Sequence, residues 1–383
     1  MILFFIVFLT VYLLGSSYVF ARGWRLAASY AKIGKALYIA LFAGMPLLIF
    51  TQLILRNNGA DALTGHWLHL LGTGWMVVTL YLVLWNGVID IASLFNRLFK
   101  QRKSRRRTFY ATSKQTRTIQ VQQYSGYALT ALLLSIGYYQ YSNPKETVVD
   151  IAINKTIEGS KKTIKVVGIS DVHLGYGTNK AQLNAYVKQI NELKPDLILI
   201  SGDLIDNDLY PVYLQNMQDE LNQLKAPLGT YFALGNHEYI SGVEASKKFV
   251  KETSIQLLQD AVHTLSNGIQ LIGRDDASQH NRKSLASLMQ GIDPNKPILL
   301  LDHQPKDLAA AKQHKVDFQF SGHTHKGQIW PVSLLVDQLF EVSYGLQSTD
   351  DTHIYVSSGL SLWGPPFRIG TRSEFAVFNL TFN

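Results

Sequence analysis

The sequence predicts a two-part chain: a helical membrane region over residues 1–142 and an α/β domain over residues 143–383. Three observations carry this. Residues 1–142 hold 14 Lys/Arg against only Asp61 and Asp90, whereas residues 143–383 hold 22 Lys/Arg against 26 Asp/Glu. The first part contains long apolar runs almost free of charge. The second alternates short β-branched runs with segments of helical periodicity.

The net charge of +8 therefore belongs wholly to the first part, and it does not mark a nucleic-acid-binding domain. A charged fraction of 17% excludes a disordered chain. With no cysteine, disulfides, thiolate metal sites and cysteine nucleophiles are excluded.

Four spans are expected at about 2–20, 36–55, 67–88 and 124–141, the last shorter and more polar. About 20 apolar residues cross ~30 Å of hydrocarbon. The first loop carries Arg22, Arg25, Lys32 and Lys35. The second carries Arg56 and Asp61. The third runs from Arg97 to Arg117 and includes the basic run Lys100–Arg107. Basic loops stay in the cytoplasm, so both termini and the α/β domain are expected outside. Val19-Phe20-Ala21 resembles a signal-peptidase site, but the run before it has no basic n-region, and cleavage would put both basic loops outside. The basic run reads as a topogenic loop beside anionic lipid, not as a nucleic-acid site. His66 and His69 read as interfacial residues.

After Asn143-Pro144, strands are expected at 147–153, 165–169, 197–200, 230–234, 269–272, 297–301, 317–320, 353–357 and 374–380. Helices are expected at 180–193, 214–224, 243–252, 284–289 and 307–312. Polar clusters recur where strands stop: Asp171-Val172-His173, Gly202-Asp203, Gly235-Asn236-His237-Glu238, Asp302-His303 and Gly322-His323-Thr324-His325. Ligand sites of open α/β sheets lie at the carboxyl ends of strands. Asp171 and His173, like His323 and His325, stand two apart, which on an extended chain sends both side chains the same way. Glycine before Asp203, Asn236 and His323 allows a tight strand exit and close backbone approach. Asp, Asn and His together form an oxygen-and-imidazole donor set, too large for one ion and suited to two.

These five motifs, in this order and each after a strand, resemble those of calcineurin-like metallophosphoesterases, and most closely the membrane-linked bacterial branch. The resemblance covers about residues 147–383. It implies a two-sheet sandwich flanked by helices (αββα) and two divalent cations, Mn, Fe, Zn or Mg. Asp171, His173 and His325 would hold one metal and Asn236, His303 and His323 the other, with Asp203 bridging. The implied reaction is hydrolysis of a phosphate ester by metal-activated water, with His237 protonating or stabilising the leaving oxygen.

Asp206 and Glu238 are candidates to orient a ligand histidine. Asp302 reads as structural; Arg368 is a candidate phosphate ligand or equally a loop salt bridge, and Lys326 a candidate phosphate ligand that reads first as a solvated lysine. His263, His280, His314 and His353 match no motif and read as surface or packing residues. The membrane tether points to a lipid- or envelope-linked phosphate as substrate. The alternatives are a fold-retaining scaffold without catalysis, or a membrane protein that the domain regulates. Scaffold relatives usually lack a ligand or the catalytic histidine, and this chain has all of them. An alkaline-phosphatase fusion after Asn143 should be active in bacteria; an inactive fusion that is stably expressed would reverse the orientation.

Overall fold

The computed structural model describes residues 2–50, 61–99, 110–349 and 351–383. The chain forms two compact units, one of Met1–Ala60 with Trp67–Ile136, the other of Asp61–His66 with Gly137–Asn383.

The first unit is helical: α1 (Ile2–Ala27), α2 (Lys32–Ile39), α3 (Ala62–Phe99) but for its first turn, and α4 (Tyr110–Ser142) but for its last turns. After α2 the helix continues as a π turn over Ala40–Gly44 and a 3-10 segment over Met45–Phe50. Pro46 lacks the N–H that would continue the α ladder there. Among the described residues, two helices are long and apolar enough to cross a membrane, Ile6–Ala27 within α1 and Ala62–Asn96 within α3. The four-span expectation is met only in part. The span expected at 36–55 runs into residues 51–60, outside the described residues. The one expected at 124–141 lies in α4, whose Gln122, Gln123, Ser125, Thr130, Ser135 and Gln140 lower its apolarity. The basic run Lys100–Arg107 also lies outside the described residues. The one ionic contact described within this unit joins Arg22 to Asp90 at 2.9 Å. His69, expected at the interface, is buried.

The second unit contains twelve described strands: β1 (Lys145–Ile153), β2 (Thr163–Ile169), β3 (Leu197–Ser201), β4 (Thr230–Ala233), β5 (Gln256–Leu257), β6 (Ala261–Thr264), β7 (Gln270–Gly273), β8 (Ile298–Leu301), β9 (Phe318–Ser321), β10 (Gly345–Ser348), β11 (His353–Val356) and β12 (Glu374–Phe382). They form two six-stranded sheets, ordered β1-β12-β2-β3-β4-β5 and β10-β11-β9-β8-β7-β6. β2, β3 and β4 run parallel, with Val167 opposite Ile198 and Leu199 opposite Tyr231. β7, β8 and β9 are also parallel. Each parallel set thus presents its carboxyl ends on one side.

Side-chain alternation builds the layers. From the first sheet, Val166, Leu197, Leu199 and Tyr231 pack against Leu299, Leu301, Phe318 and Phe320 of the second, forming the core between the sheets. The alternate residues Val167, Ile169, Ile198 and Ile200 face the other way, onto Leu183, Val187 and Ile190 of α5 (Lys180–Glu192). Behind the second sheet, Ile272, Ile298 and Leu300 pack on Leu285 and Leu288 of α10 (Leu285–Leu288) and Ala311 of α11 (Leu308–Gln313). The result is the expected helix–sheet–sheet–helix sandwich. Between α5 and α10 lie α6 (Tyr210–Leu214), α7 (Gln218–Leu221), α8 (Asn236–Ile240) and α9 (Val243–Lys251).

Of the helix expected over 214–224 only α7 forms; α6 ends at Leu214, and Asn216 between them occupies the left-handed region at φ 49°. β5, β6, β10 and the helix α12 (Val332–Leu339) are additions that the sequence pattern did not reveal. At the carboxyl ends, the Ser201 hydroxyl donates to the Phe320 carbonyl at 3.0 Å, and the Ser321 hydroxyl to the Asp302 carbonyl at 2.6 Å. These bonds hold the strand ends of both sheets, and so the loops that follow them, in fixed register.

Candidate metal centre and active-site cleft

The loops after β2, β3, β4, β8 and β9 bring Asp171, His173, Asp203, Asn236, His237, His303, His323 and His325 together. Asp171, His173 and His325 place donor atoms within 4.8 Å of one another. So do His173, Asp203 and His237, and so do Asp203, His303 and His323. His323 Nδ1 and Asn236 Oδ1 converge at 2.8 Å. His173 Nε2 lies 3.2 Å from His325 Nε2 and 3.9 Å from Asp203 Oδ2. Asp171 Oδ1 lies 3.3 Å from His325 Nε2.

The expected extended geometry of Asp171–His173 and His323–His325 is not what brings these side chains together. Asp171, His173, Asp203, His323 and His325 all occupy the left-handed region, at φ 55°, 48°, 52°, 70° and 48°. Such a conformation costs about 1–2 kcal/mol for a residue with a Cβ and persists only where the surroundings enforce it. The enforcing contacts are visible. The amides of Asp171 and His173 donate to the carbonyls of Gly202 and Asp203 at 3.1 and 3.0 Å. The His323 amide donates to Asp171 Oδ1 at 3.1 Å, and the His237 amide to Asp203 Oδ1 at 2.8 Å.

Gly202 acts through space as well as through its left-handed φ of 74°, and Gly235 and Gly322 act through space. A Cβ on Gly202 would meet the His303 ring at 2.2 Å, and one on Gly235 would meet Asp203 Oδ1 at 2.2 Å. One on Gly322 would meet Asp171 Oδ2 at 2.4 Å.

Glu238 does not orient a histidine. Its carboxylate accepts from the backbone amides of Asp203, Gly235 and Ile205 at 3.0, 2.8 and 3.1 Å, so it clamps two loops together. Burial and the nearby Asp203 charge push its pKa up to about 7. Asp206 Oδ1 stands 3.5 Å from His173 Nδ1 and 3.4 Å from His237 Nδ1, between the two rings. Asp302 is buried in an ion pair with Arg274 at 3.0 Å and with Arg282.

Arg368 is fully buried and makes no phosphate site. Its guanidinium donates to the carbonyls of His325 at 2.8 Å, Gly359 at 3.2 Å, Ser361 at 2.9 Å, and to Ser358. Read from sequence as a phosphate ligand, it instead fixes the His325 loop. The Lys326 ammonium lies over the Tyr344 ring, 4.4 Å from its centroid. Of the histidines without a motif, His263 stacks near Tyr231 and His353 pairs with Ser348, as packing residues do.

The donor set fits metal ions. His303 Nδ1 donates to the Ser201 carbonyl at 2.8 Å, which leaves Nε2 as the lone-pair nitrogen of the neutral ring. That nitrogen is buried, has no hydrogen-bond partner, and faces Asp203 Oδ2 at 3.1 Å. Two acceptors so placed are satisfied only by a cation, a proton or a metal ion, between them. Charges respond to this crowding. Burial opposes ionisation of Asp203 and protonation of His303, yet a proton between the two, with His237 and His173 nearby, holds the Asp203 carboxyl well below its usual range and His303 above its own. Burial pushes Asp171 up and His325 down. Burial would lower His237 as well, but Asp206 and Asp203 outweigh it and raise the ring to about 9.

The centre opens into a cleft of about 470 Å³ lined by Asp203, Asn236, His237, His323, Val336, Phe340 and Trp363, among others. Residues 164–327 match the family model of the calcineurin-like phosphoesterase domain. The chain is 35% identical over 252 residues to an uncharacterized metallophosphoesterase of Helicobacter pylori, covering 64% of this chain and 66% of that one. A Campylobacter jejuni relative, also an uncharacterized metallophosphoesterase, is 33% identical over 66% of this chain and 69% of its own. A transmembrane protein with metallophosphoesterase domain from Danio rerio is 29% identical over 94% of this chain and 85% of its own. The chain thus spans about two thirds of the Helicobacter relative's length. It belongs to the calcineurin-like metallophosphoesterase family, and its fold is that family's two-sheet sandwich.

Glu238→Ala would strand three buried amides. A loss of at least ~3 kcal/mol in stability is expected, at about 1 kcal/mol or more for each orphaned donor. Thermal unfolding followed by tryptophan fluorescence reads it; an unchanged midpoint would show that the clamp is dispensable.

Proposed function

We propose that the chain is a membrane-anchored phosphoesterase that hydrolyses a phosphate ester with two divalent cations. The observation that carries this is the buried convergence of lone-pair nitrogens and carboxylate oxygens around Asp203. Asp171, His173 and His325 would hold one ion, and Asn236, His303 and His323 the other. Asp203, a member of two of the donor groups, would serve both. Bound there, two cations supply Lewis acidity towards phosphoryl oxygens and a water nucleophile at neutral pH. The donor set of imidazole, carboxylate and amide suits Mn, Fe, Zn or Mg.

The remaining chemistry belongs to the chain's own groups. His237 Nδ1 donates to the Asp206 carbonyl at 3.0 Å, which leaves Nε2 for the substrate. Burial lowers its pKa, but the contact with Asp206 raises it and favours the protonated ring. It is therefore placed to give a proton to the leaving oxygen as water adds to phosphorus, so that an alcohol leaves and phosphate remains. Lys326 is assigned no phosphate contact, since its ammonium lies over the Tyr344 ring and it is not among the residues that line the cleft.

The apolar helices α1 and α3 support membrane anchoring, and the basic first and third loops support an extracytoplasmic domain. Tethering raises the effective concentration of lipid-linked phosphates at the site.

The test uses the full chain in detergent, titrated with Mn²⁺, on p-nitrophenyl phosphate and bis-p-nitrophenyl phosphate. Mn-dependent turnover is expected, falling about 10²-fold or more in His237→Ala and abolished in Asp203→Ala. Turnover that survives Asp203→Ala would contradict the mechanism, and the preferred ester separates monoester from diester chemistry.

A further inference from the structure

Helix α12 is inside out. Four of its apolar residues, Val332, Leu335, Val336 and Leu339, with Phe340 just beyond, follow the spacing of one helical stripe, and Leu334 beside it is exposed as well. In a folded domain such a stripe turns to the core. Here the buried residue of the helix is Ser333. Its backbone sits so close to Gly327 that a Cβ on that glycine would meet Ser333 Cα at 2.4 Å. The small polar face thus seats the helix on the His325 loop, and the apolar stripe looks away from the core. Val332, Val336 and Phe340 line the cleft that contains Asn236, His237 and His323. Leu335 and Leu339 carry the stripe out of the cleft at 63% and 76% exposure. The Phe340 ring stands edge-on to the His323 ring, with centroids 6.0 Å apart, so the apolar wall begins where the donor cluster ends.

We propose that α12 is the binding wall for the apolar tail of the substrate, which makes that substrate an amphiphilic phosphate ester, a lipid phosphate in chemical class. The inference rests on the phosphoesterase reading of the same cleft. A single occupant must satisfy both ends of one cavity: a phosphate at the histidine and carboxylate donors, and an alkyl chain along Val336 and Phe340 towards Leu335 and Leu339. A nucleotide or a small polar ester satisfies the donors and leaves the stripe in water. A bilayer surface could cover Leu335 and Leu339 but would not enter the cleft. The apolar helices α1 and α3 of the same chain are long and apolar enough to keep it where such lipids reside.

The experiment is a chain-length series. The Mn-loaded full chain in lipid nanodiscs is given n-alkyl phosphates from ethyl to octyl, each below its micellar concentration, with p-nitrophenyl phosphate as reference. A methylene taken fully out of water is worth about fourfold, so even partial burial should raise kcat/KM at least tenfold from ethyl to octyl. In the double variant Leu335→Gln/Leu339→Gln the rise should flatten, read as the ratio of octyl to p-nitrophenyl turnover. A flat series in the unmodified chain, with p-nitrophenyl phosphate still hydrolysed, would overturn the inference and leave the phosphoesterase reading standing. A rise that the double variant does not alter would also overturn it, as would stimulation by added vesicles with a flat series, which would assign α12 to the bilayer. Hydrolysis of no ester at all would sink the phosphoesterase reading and the inference with it.

Discussion

Packing carboxylates and imidazoles into one buried cluster is the constraint on which this domain is organised. Asp171, His173, Asp203, His303 and His325 are almost wholly inaccessible, and their donor atoms stand within a few ångströms of each other. Uncompensated, such crowding is unfavourable, because a buried charge or lone pair without a partner costs several kcal/mol. The shifted ionisation of four of them expresses that tension: Asp203 and His325 held down, Asp171 and His303 held up. A fold can carry such a cluster only if the loops that bear it cannot relax.

The sandwich supplies that rigidity from beneath and the buried polar residues supply it from the sides. Ser201 ties a strand end of the first sheet to the second, and Ser321 ties the ends of β9 and β8 within the second. Glu238 then gathers three amides from two loops, and Arg368 gathers four carbonyls around the His325 turn. Both side chains spend their hydrogen-bonding capacity on backbone, so five left-handed residues are held where an unsupported loop would unwind. The distribution of labour is consistent: residues that point into the cleft carry the chemistry, and Glu238, next to His237, and Arg368, remote in sequence, hold the backbone.

That division also explains what the sequence disclosed. The short apolar runs of β2, β3, β8 and β9 are legible because these strands are buried, and the motifs stand out because each ends such a run. The donor residues were therefore readable by type and order. Arg368 and Glu238 were misread because a charged residue in a loop normally faces solvent or a partner charge; nothing local announces that it will be buried against backbone. The left-handed turns at Asp171 and His323 were invisible for a related reason, since Asp and His tolerate that region without requiring it. β5 and β6 are too short to show a period. α12 escaped because its stripe faces a cleft, and its polar flank, not its apolar one, meets the protein.

Two metal sites sharing Asp203 are the central claim, and metal stoichiometry tests them most directly. The full chain, stripped with chelator, reloaded with Mn²⁺ and freed of excess, would be measured by elemental analysis together with electron paramagnetic resonance. Two Mn per chain with a magnetically coupled signal are expected, both lost or uncoupled in Asp203→Ala. A folded chain that saturates at one ion, or binds two that show no coupling, would contradict the shared-carboxylate centre.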